Sequence, residues 1–193
     1  MNRRNTSRGF TLPEILITMG IVAIVLSTAV PGIGHMVKDN RLATQLNSIV
    51  THVHMARAEA AKRDVRVIMC RSNSPNASNP VCSGSERVWT TGYIIFADDG
   101  NYSNNTYNAG TDTLLFRGQP ATTGVKLNTS WSWNKNLEFN PDGSTNEGGA
   151  IAIMSLCDDR GRDYGRQIQV SPNGISRMLA GNIPSCYPSE TVN

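Results

Sequence analysis

A single carboxylate, Glu14, stands at the head of an otherwise uncharged run that begins Gly9-Phe10-Thr11-Leu12-Pro13-Glu14 and continues to Gly34. Hydrocarbon penalises an acidic side chain by roughly 2.5–3.5 kcal/mol at mid-membrane and by less near an interface, so Glu14 needs a partner or a purpose. Four cysteines, Cys70, Cys82, Cys157 and Cys186, are the second set of chemically capable groups, and all lie beyond the apolar run. An even number in an exported segment points to two disulfides, and four cysteines allow three connectivities. Pairing neighbours, Cys70 with Cys82 and Cys157 with Cys186, is favoured, because each pair closes a segment containing Ser, Asn or Gly. Zinc is the rival, but the chain has no Cys-x-x-Cys and its three histidines, His35, His52 and His54, fall in a helical stretch away from the cysteines.

The remaining polar groups give catalysis little support. His52 and His54 are two apart on a helix and face different directions, unlike an i, i+4 chelating pair. No Gly-x-Ser-x-Gly or Walker loop occurs, and the segment after residue 63 has no histidine to serve as a base. These features predict a chain that is not an enzyme and carries no cofactor. Asp98-Asp99-Gly100-Asn101, with Asn105 and Asp112 downstream, has calcium-type ligands, yet Gly100 and Tyr102 occupy places where an EF-hand needs oxygen donors, so a solvated turn is expected.

These groups need elements to position them. Ile15 to Gly34 gives 20 uncharged residues, the length of a spanning helix. Arg3, Arg4 and Arg8 precede it, while Lys38, Asp39 and Arg41 follow, which predicts a cytoplasmic N-terminus and export of everything after Gly34. An ordinary secretory signal over residues 1–29 is the bland alternative. Glu14 inside the apolar stretch counts against it, as does a helical pattern that runs on past the cut. Leu42, Leu46, Ile49, Val50, Val53, Ala56 and Ala60 recur at helical spacing. The pattern predicts one helix from Phe10 to Arg63, about 54 residues or roughly 80 Å long, with a kink or unwound turn at Pro31.

From Asp64 the chain changes to short β-type runs separated by Gly, Asn, Ser and Pro. Strands are expected near Val65 to Cys70, Gly92 to Ala97, Thr113 to Phe116, Val125 to Leu127, Leu137 to Asn140, Ala150 to Leu156, Arg166 to Ser171 and Ile175 to Leu179. Asn140-Pro141-Asp142-Gly143 and Ser171-Pro172-Asn173-Gly174 are turn signals, the second joining the last two strands. The divisions expected are therefore 1–9, 10–34, 35–63 and 64–193.

The short basic leader ending in Gly9, then Phe10-Thr11-Leu12-x-Glu14 and an apolar run, resembles the start of a type IV pilin-like precursor. Further along the chain, residues 56–63, 67–70, 89–98, 139–143 and 157–177 occur in an order that resembles the GspH/FimT family of minor pilins and pseudopilins. The resemblance implies an α+β fold, a long N-terminal α-helix packed on a C-terminal antiparallel β-sheet head. It implies leader cleavage between Gly9 and Phe10 by a prepilin peptidase, N-methylation of Phe10, and an assembly contact from Glu14 to the N-terminal amine of a neighbouring subunit. Residues 10–33 would then meet other major and minor pilins. The implied location is the inner membrane, single-pass with a periplasmic head, and afterwards the pilus or pseudopilus.

Three functions stay open within this family: a minor pilin that primes or caps pilus assembly, a type II secretion pseudopilin, and a pilus-associated DNA receptor. Some members bind DNA through Gly-Arg-x-Arg. Gly174-Ile175-Ser176-Arg177 keeps the glycine and last arginine but not the first, and Gly161-Arg162-Asp163-Tyr164 has half the pattern. Arg160, Arg162, Arg166 and Arg177 are the candidate phosphate contacts, with Asp158, Asp159 and Asp163 interleaved among the first three. The formal charge of +3 equals that of Arg3, Arg4 and Arg8, so the chain after Gly9 is neutral. Residues 64–193 hold 10 Lys and Arg against 12 Asp and Glu, which disfavours DNA.

Overall fold

Thr11 starts the first element of the computed structural model. Its backbone N–H donates to the Glu14 carboxylate at 3.5 Å, and its C=O accepts from Ile15 N–H at 3.2 Å. Thr-x-x-Glu at this position is a capping-box spacing: the acid three residues into the helix satisfies a donor that has no intrahelical acceptor. Helix α1 runs from Leu12 to Arg63, with Glu14 in the first turn and Lys62 and Arg63 in the last, both matched to the helix dipole. It ends where Asp64 turns left-handed, φ 57°. The helix continues without a break through Pro31, so the unwound turn expected there does not form.

The structure describes residues 10–83, 87–100, 105–130, 136–146, 148–184 and 186, with only the backbone at 28–32. The leader with Gly9 lies outside the described residues, as do Asn101 and Tyr102 of the acidic segment. Contacts divide the chain into two units, Met1–Asp39 and Asn40–Asn193.

Within the second unit, Leu42, Leu46, Ile49, Val53, Ala56 and Ala60 are all buried, and Val50 is half-buried beside them. Their spacing alternates four and three residues, so they form one stripe of α1. The four largest contribute roughly 6–12 kcal/mol of gross burial before chain entropy is charged against it.

The stripe joins a core built by two antiparallel sheets. Sheet A comprises β1 (Val67–Arg71), β2 (Tyr93–Ala97), β3 (Thr113–Gly118) and β5 (Asn136–Phe139) in the order β3-β2-β1-β5. Sheet B comprises β4 (Lys126–Thr129), β6 (Ala152–Cys157), β7 (Arg166–Val170) and β8 (Ser176–Ala180) in the order β4-β6-β7-β8. Val67, Met69, Tyr93, Ile95, Leu137 and Phe139 face the shared core from sheet A; Leu127, Met154, Leu156, Ile168 and Val170 face it from sheet B.

Sheet A is buried on its other face too. Ile68, Cys70, Ile94 and Phe96 form a second cluster, packed with Cys82, Tyr107 and Leu114. Both faces of β1 and β2 are therefore dry, which explains why Tyr93-Ile94-Ile95-Phe96 reads as a continuous apolar run instead of alternating.

Candidate assembly site

The first half of α1 turns apolar side chains outward all around its circumference. Leu12, Ile15, Leu16, Ile17, Met19 and Ile21 are exposed, and the pattern continues through Leu26. Glu14, also exposed, is the only acid among them and holds the Thr11 N–H. Among the described residues no stretch of helix is long and apolar enough to cross a membrane. The uncharged stretch with described side chains, Ile15 to Ser27, is shorter than the about 20 residues a bilayer core requires. The composition of this surface suits an environment of lipid or other helices.

The head is braced by disulfides. Cys70 pairs with Cys82 at a Cα separation of 5.6 Å, and Cys157 with Cys186 at 5.7 Å, so all four cysteines are bonded in the pairing favoured from their spacing. The first bridge leads from β1 to the segment that covers the outer face of sheet A. There Ser83 N–H donates to Arg71 C=O at 2.8 Å, and the Arg71 guanidinium donates to Ser83 C=O at 3.1 Å. The second bridge ties β6 to the segment after β8, where Cys157, Ile183 and Cys186 make their own small buried cluster.

Arg57 of α1 is a tie that sequence reading did not single out. Its Nε donates to Gly143 C=O at 3.1 Å and its Nη2 to Asn173 C=O at 3.0 Å. These are the two Pro-x-Gly turns, one following β5 of sheet A and one joining β7 to β8 of sheet B. Thr145 N–H also donates to Pro172 C=O at 2.8 Å, so the turns contact each other directly. Each turn was legible alone; their meeting over a helical arginine depends on tertiary placement.

His52 and His54 face different partners, as their spacing requires. His52 Nδ1 lies 2.5 Å from the Tyr93 hydroxyl, and its ring centroid is 3.9 Å from that of Phe116. Burial lowers the His52 pKa and raises that of Tyr93, so both groups favour their uncharged forms. His54 Nε2 is 3.2 Å from Ser176 Oγ.

The acidic candidates are each engaged locally. Asp98 pairs with Arg66, which also bonds Glu138 at 3.2 Å; Asp99 accepts from the Thr113 hydroxyl at 2.6 Å; Asp112 accepts from Asn108 N–H at 2.7 Å. Asn105 donates to Glu138 instead of turning toward the aspartates. At Asp98 and Glu138 the positive charge is supplied by the Arg66 guanidinium.

The candidate DNA-contact arginines are not gathered on one face. Arg160 is held by Asp158 at 2.8 Å and lies over the Tyr164 ring at 4.5 Å. Arg166 pairs in register with Leu156 and Ala180, placing it on the core side of sheet B with Ile168. Arg177 pairs with Gln169 and so projects from the opposite side. Arg162 is exposed in the loop before β7.

Residues 45–174 match the family described as type II transport protein GspH, and residues 4–30 match the prokaryotic N-terminal methylation motif. The chain belongs to the GspH family. This family comprises structural pilins of the minor pilin and pseudopilin type, whose work is assembly with other pilins. A further relative of this GspH-family chain is the pilin-like protein PilA1 of Thermus thermophilus, 30% identical over 146 residues that span 72% of this chain and 79% of that one. In fold, two crystal forms of the type IV minor pilin FimU of Pseudomonas aeruginosa match it with TM-scores of 0.58 and 0.54 at 17% identity. They cover 79% and 76% of this chain and 99% and 100% of the FimU chains. The expected α+β pilin-like architecture, a long helix followed by an antiparallel head, is therefore the one observed.

Proposed function

We propose that this GspH-family chain is a minor type IV pilin, a non-enzymatic subunit that primes or caps a filament. The observation that supports this reading is the all-round apolar exposure of α1 from Leu12 to Leu26 with a single acid at its head. Such a surface is unstable in water and becomes useful when many copies or relatives pack together.

In this reading a prepilin peptidase cuts between Gly9 and Phe10, and the new amine of Phe10 is N-methylated. Residues 10–34 first hold the subunit in the inner membrane as a single pass, a role supported by the 20 uncharged residues from Ile15 to Gly34. The amphipathic half, 35–63, carries the head, 64–193, on the periplasmic side. On assembly, residues 10–33 pack against other major and minor pilins. Glu14 exchanges the Thr11 N–H for the N-terminal amine of a neighbour, and the ion pair offsets the cost of burying the carboxylate.

The family description favours a second reading, a pseudopilin of type II secretion built from the same parts. Deleting the gene separates the two. The minor-pilin reading expects loss of most surface pili with secretion of extracellular enzymes unchanged, measured by sheared-pilus yield and by activity in the culture supernatant. Normal piliation with blocked secretion would reverse the ranking.

A further inference from the structure

Sheet B ends in a strand whose outer side has no partner among the described residues. β8 borders β7 alone, and Arg177, Met178 and Ala180 are exposed. Two of the other three sheet edges are closed. Trp89 N–H donates to Leu127 C=O at 2.9 Å and Thr129 N–H to Arg87 C=O at 2.8 Å, which covers β4; Asn146 N–H donates to Glu138 C=O at 3.3 Å, which covers β5. The third edge, β3, is half-buried from Leu114 to Arg117.

The hydrogen bonds at either end of the β7–β8 pair fix which backbone groups of β8 face outward. Ser171 N–H donates to Ile175 C=O at 2.9 Å, and Gly181 N–H donates to Gly165 C=O at 2.9 Å. Antiparallel ladders alternate, so Arg177 and Leu179 bond to β7, while the N–H and C=O of Ser176, Met178 and Ala180 point to the open edge. The Ser176 end sits beside His54 of α1, which leaves Met178 and Ala180 as the accessible part.

The side chains along this edge are distinct on its two faces. Met178, 53% exposed, shares the core face with Ile168 and extends the apolar rim of sheet B. Arg177 shares the outer face with Gln169 and, among the described residues, has no carboxylate partner. Ile175, 56% exposed, lies on that same outer face two residues earlier.

We propose that β8 accepts an extended segment of another protein subunit as a fifth, antiparallel strand of sheet B. Its partner carries a carboxylate opposite Arg177 and apolar side chains opposite Ile175, Met178 and Leu179. Main-chain bonds supply the attachment, and the Arg177–carboxylate pair selects the register. A second copy of β8 does not meet these terms: pairing it antiparallel about Met178 sets each Arg177 against Leu179, and the strand contains no acid. Nucleic acid phosphate offers only acceptors and would leave the outward carbonyls of Met178 and Ala180 unpaired. The site belongs to the head and does not depend on how the leader is processed.

The test is an NMR titration of the full chain in detergent micelles with the peptide acetyl-Thr-Val-Leu-Glu-Thr-Val-Thr-amide. Amide signals of Met178 and Ala180 are expected to shift and their hydrogen exchange to slow. Arg177→Glu, an exposed change whose spectrum also reports folding, is expected to weaken binding about tenfold. The same peptide with Lys in place of Glu should recover that loss on the variant. Shifts centred elsewhere, equal affinity for wild type and variant, or no binding would overturn the proposal. So would displacement of the peptide by duplex oligonucleotide, or the same shifts appearing on self-association without peptide.

Discussion

Replacing Cys157 and Cys186 by serine is expected to lower the unfolding free energy of the head by about 3.5 kcal/mol, the loop-closure value for their separation of 29 residues. Among the described residues of the segment they tether, the buried apolar cluster is Ile183 with the two cysteines, and the hydrogen bonds include Asn128 to Cys186 C=O, Asn182 N–H to Asp163 C=O and Ile183 N–H to Arg162 C=O. A Cβ placed on Gly165 would sit 2.6 Å from Ile183 and 3.1 Å from Cys157 Sγ, so the segment is packed closely onto the start of β7. The other bridge closes a separation of only 12, and its removal should cost less, about 3 kcal/mol. It also releases part of the cover over Ile68, Ile94 and Phe96, so dye binding to exposed apolar surface should rise for Cys70→Ser with Cys82→Ser. Urea unfolding of the oxidised wild type and the two double variants measures both. A loss below about 1 kcal/mol for the Cys157–Cys186 variant would mean that the segment is held by something other than the bridge.

Gly174→Ala is the second large effect, expected to cost at least about 3 kcal/mol. Gly174 has φ 73°, a left-handed conformation that an L side chain adopts at a penalty. The decisive problem is space. A Cβ there would lie 2.0 Å from Gly143 C=O and 2.8 Å from Arg57 Nε, so the two Pro-x-Gly turns and the arginine that ties them would have to separate. Gly161→Ala provides the control: its φ of 79° carries the same backbone penalty, but nothing lies within 4 Å of the new methyl group. That change should cost only about 1–2 kcal/mol. Equal losses for the two variants would show that Arg57 and the turn contact contribute nothing to holding the sheets together.

Much of this organisation can be read from residue spacing. The stripe from Leu42 to Ala60 and all eight strands are visible, with strand ends displaced by at most two residues. The last hairpin follows from Ser171-Pro172-Asn173-Gly174, whose Gly174 N–H closes the turn on Ser171 C=O at 2.8 Å. The division into two sheets is not visible, because it rests on non-local partners: β1 lies between β2 and β5, and β4 pairs with β6. Local sequence carries no signal for such a choice. The Thr11–Glu14 cap has a sequence signature in its Thr-x-x-Glu spacing. Arg166 and Arg177 are both candidate phosphate contacts by sequence, and the two-residue period of paired strands sends them to opposite faces of sheet B.

The central claim is that the apolar half of α1 stays on the working subunit and begins at a processed Phe10. Mass spectrometry of the N-terminal peptide from the membrane or pilus fraction tests it most directly. The account predicts a chain starting with N-methylated Phe10 and retaining Glu14; a chain starting after Ala29, as an ordinary secretory cleavage would leave it, would contradict it.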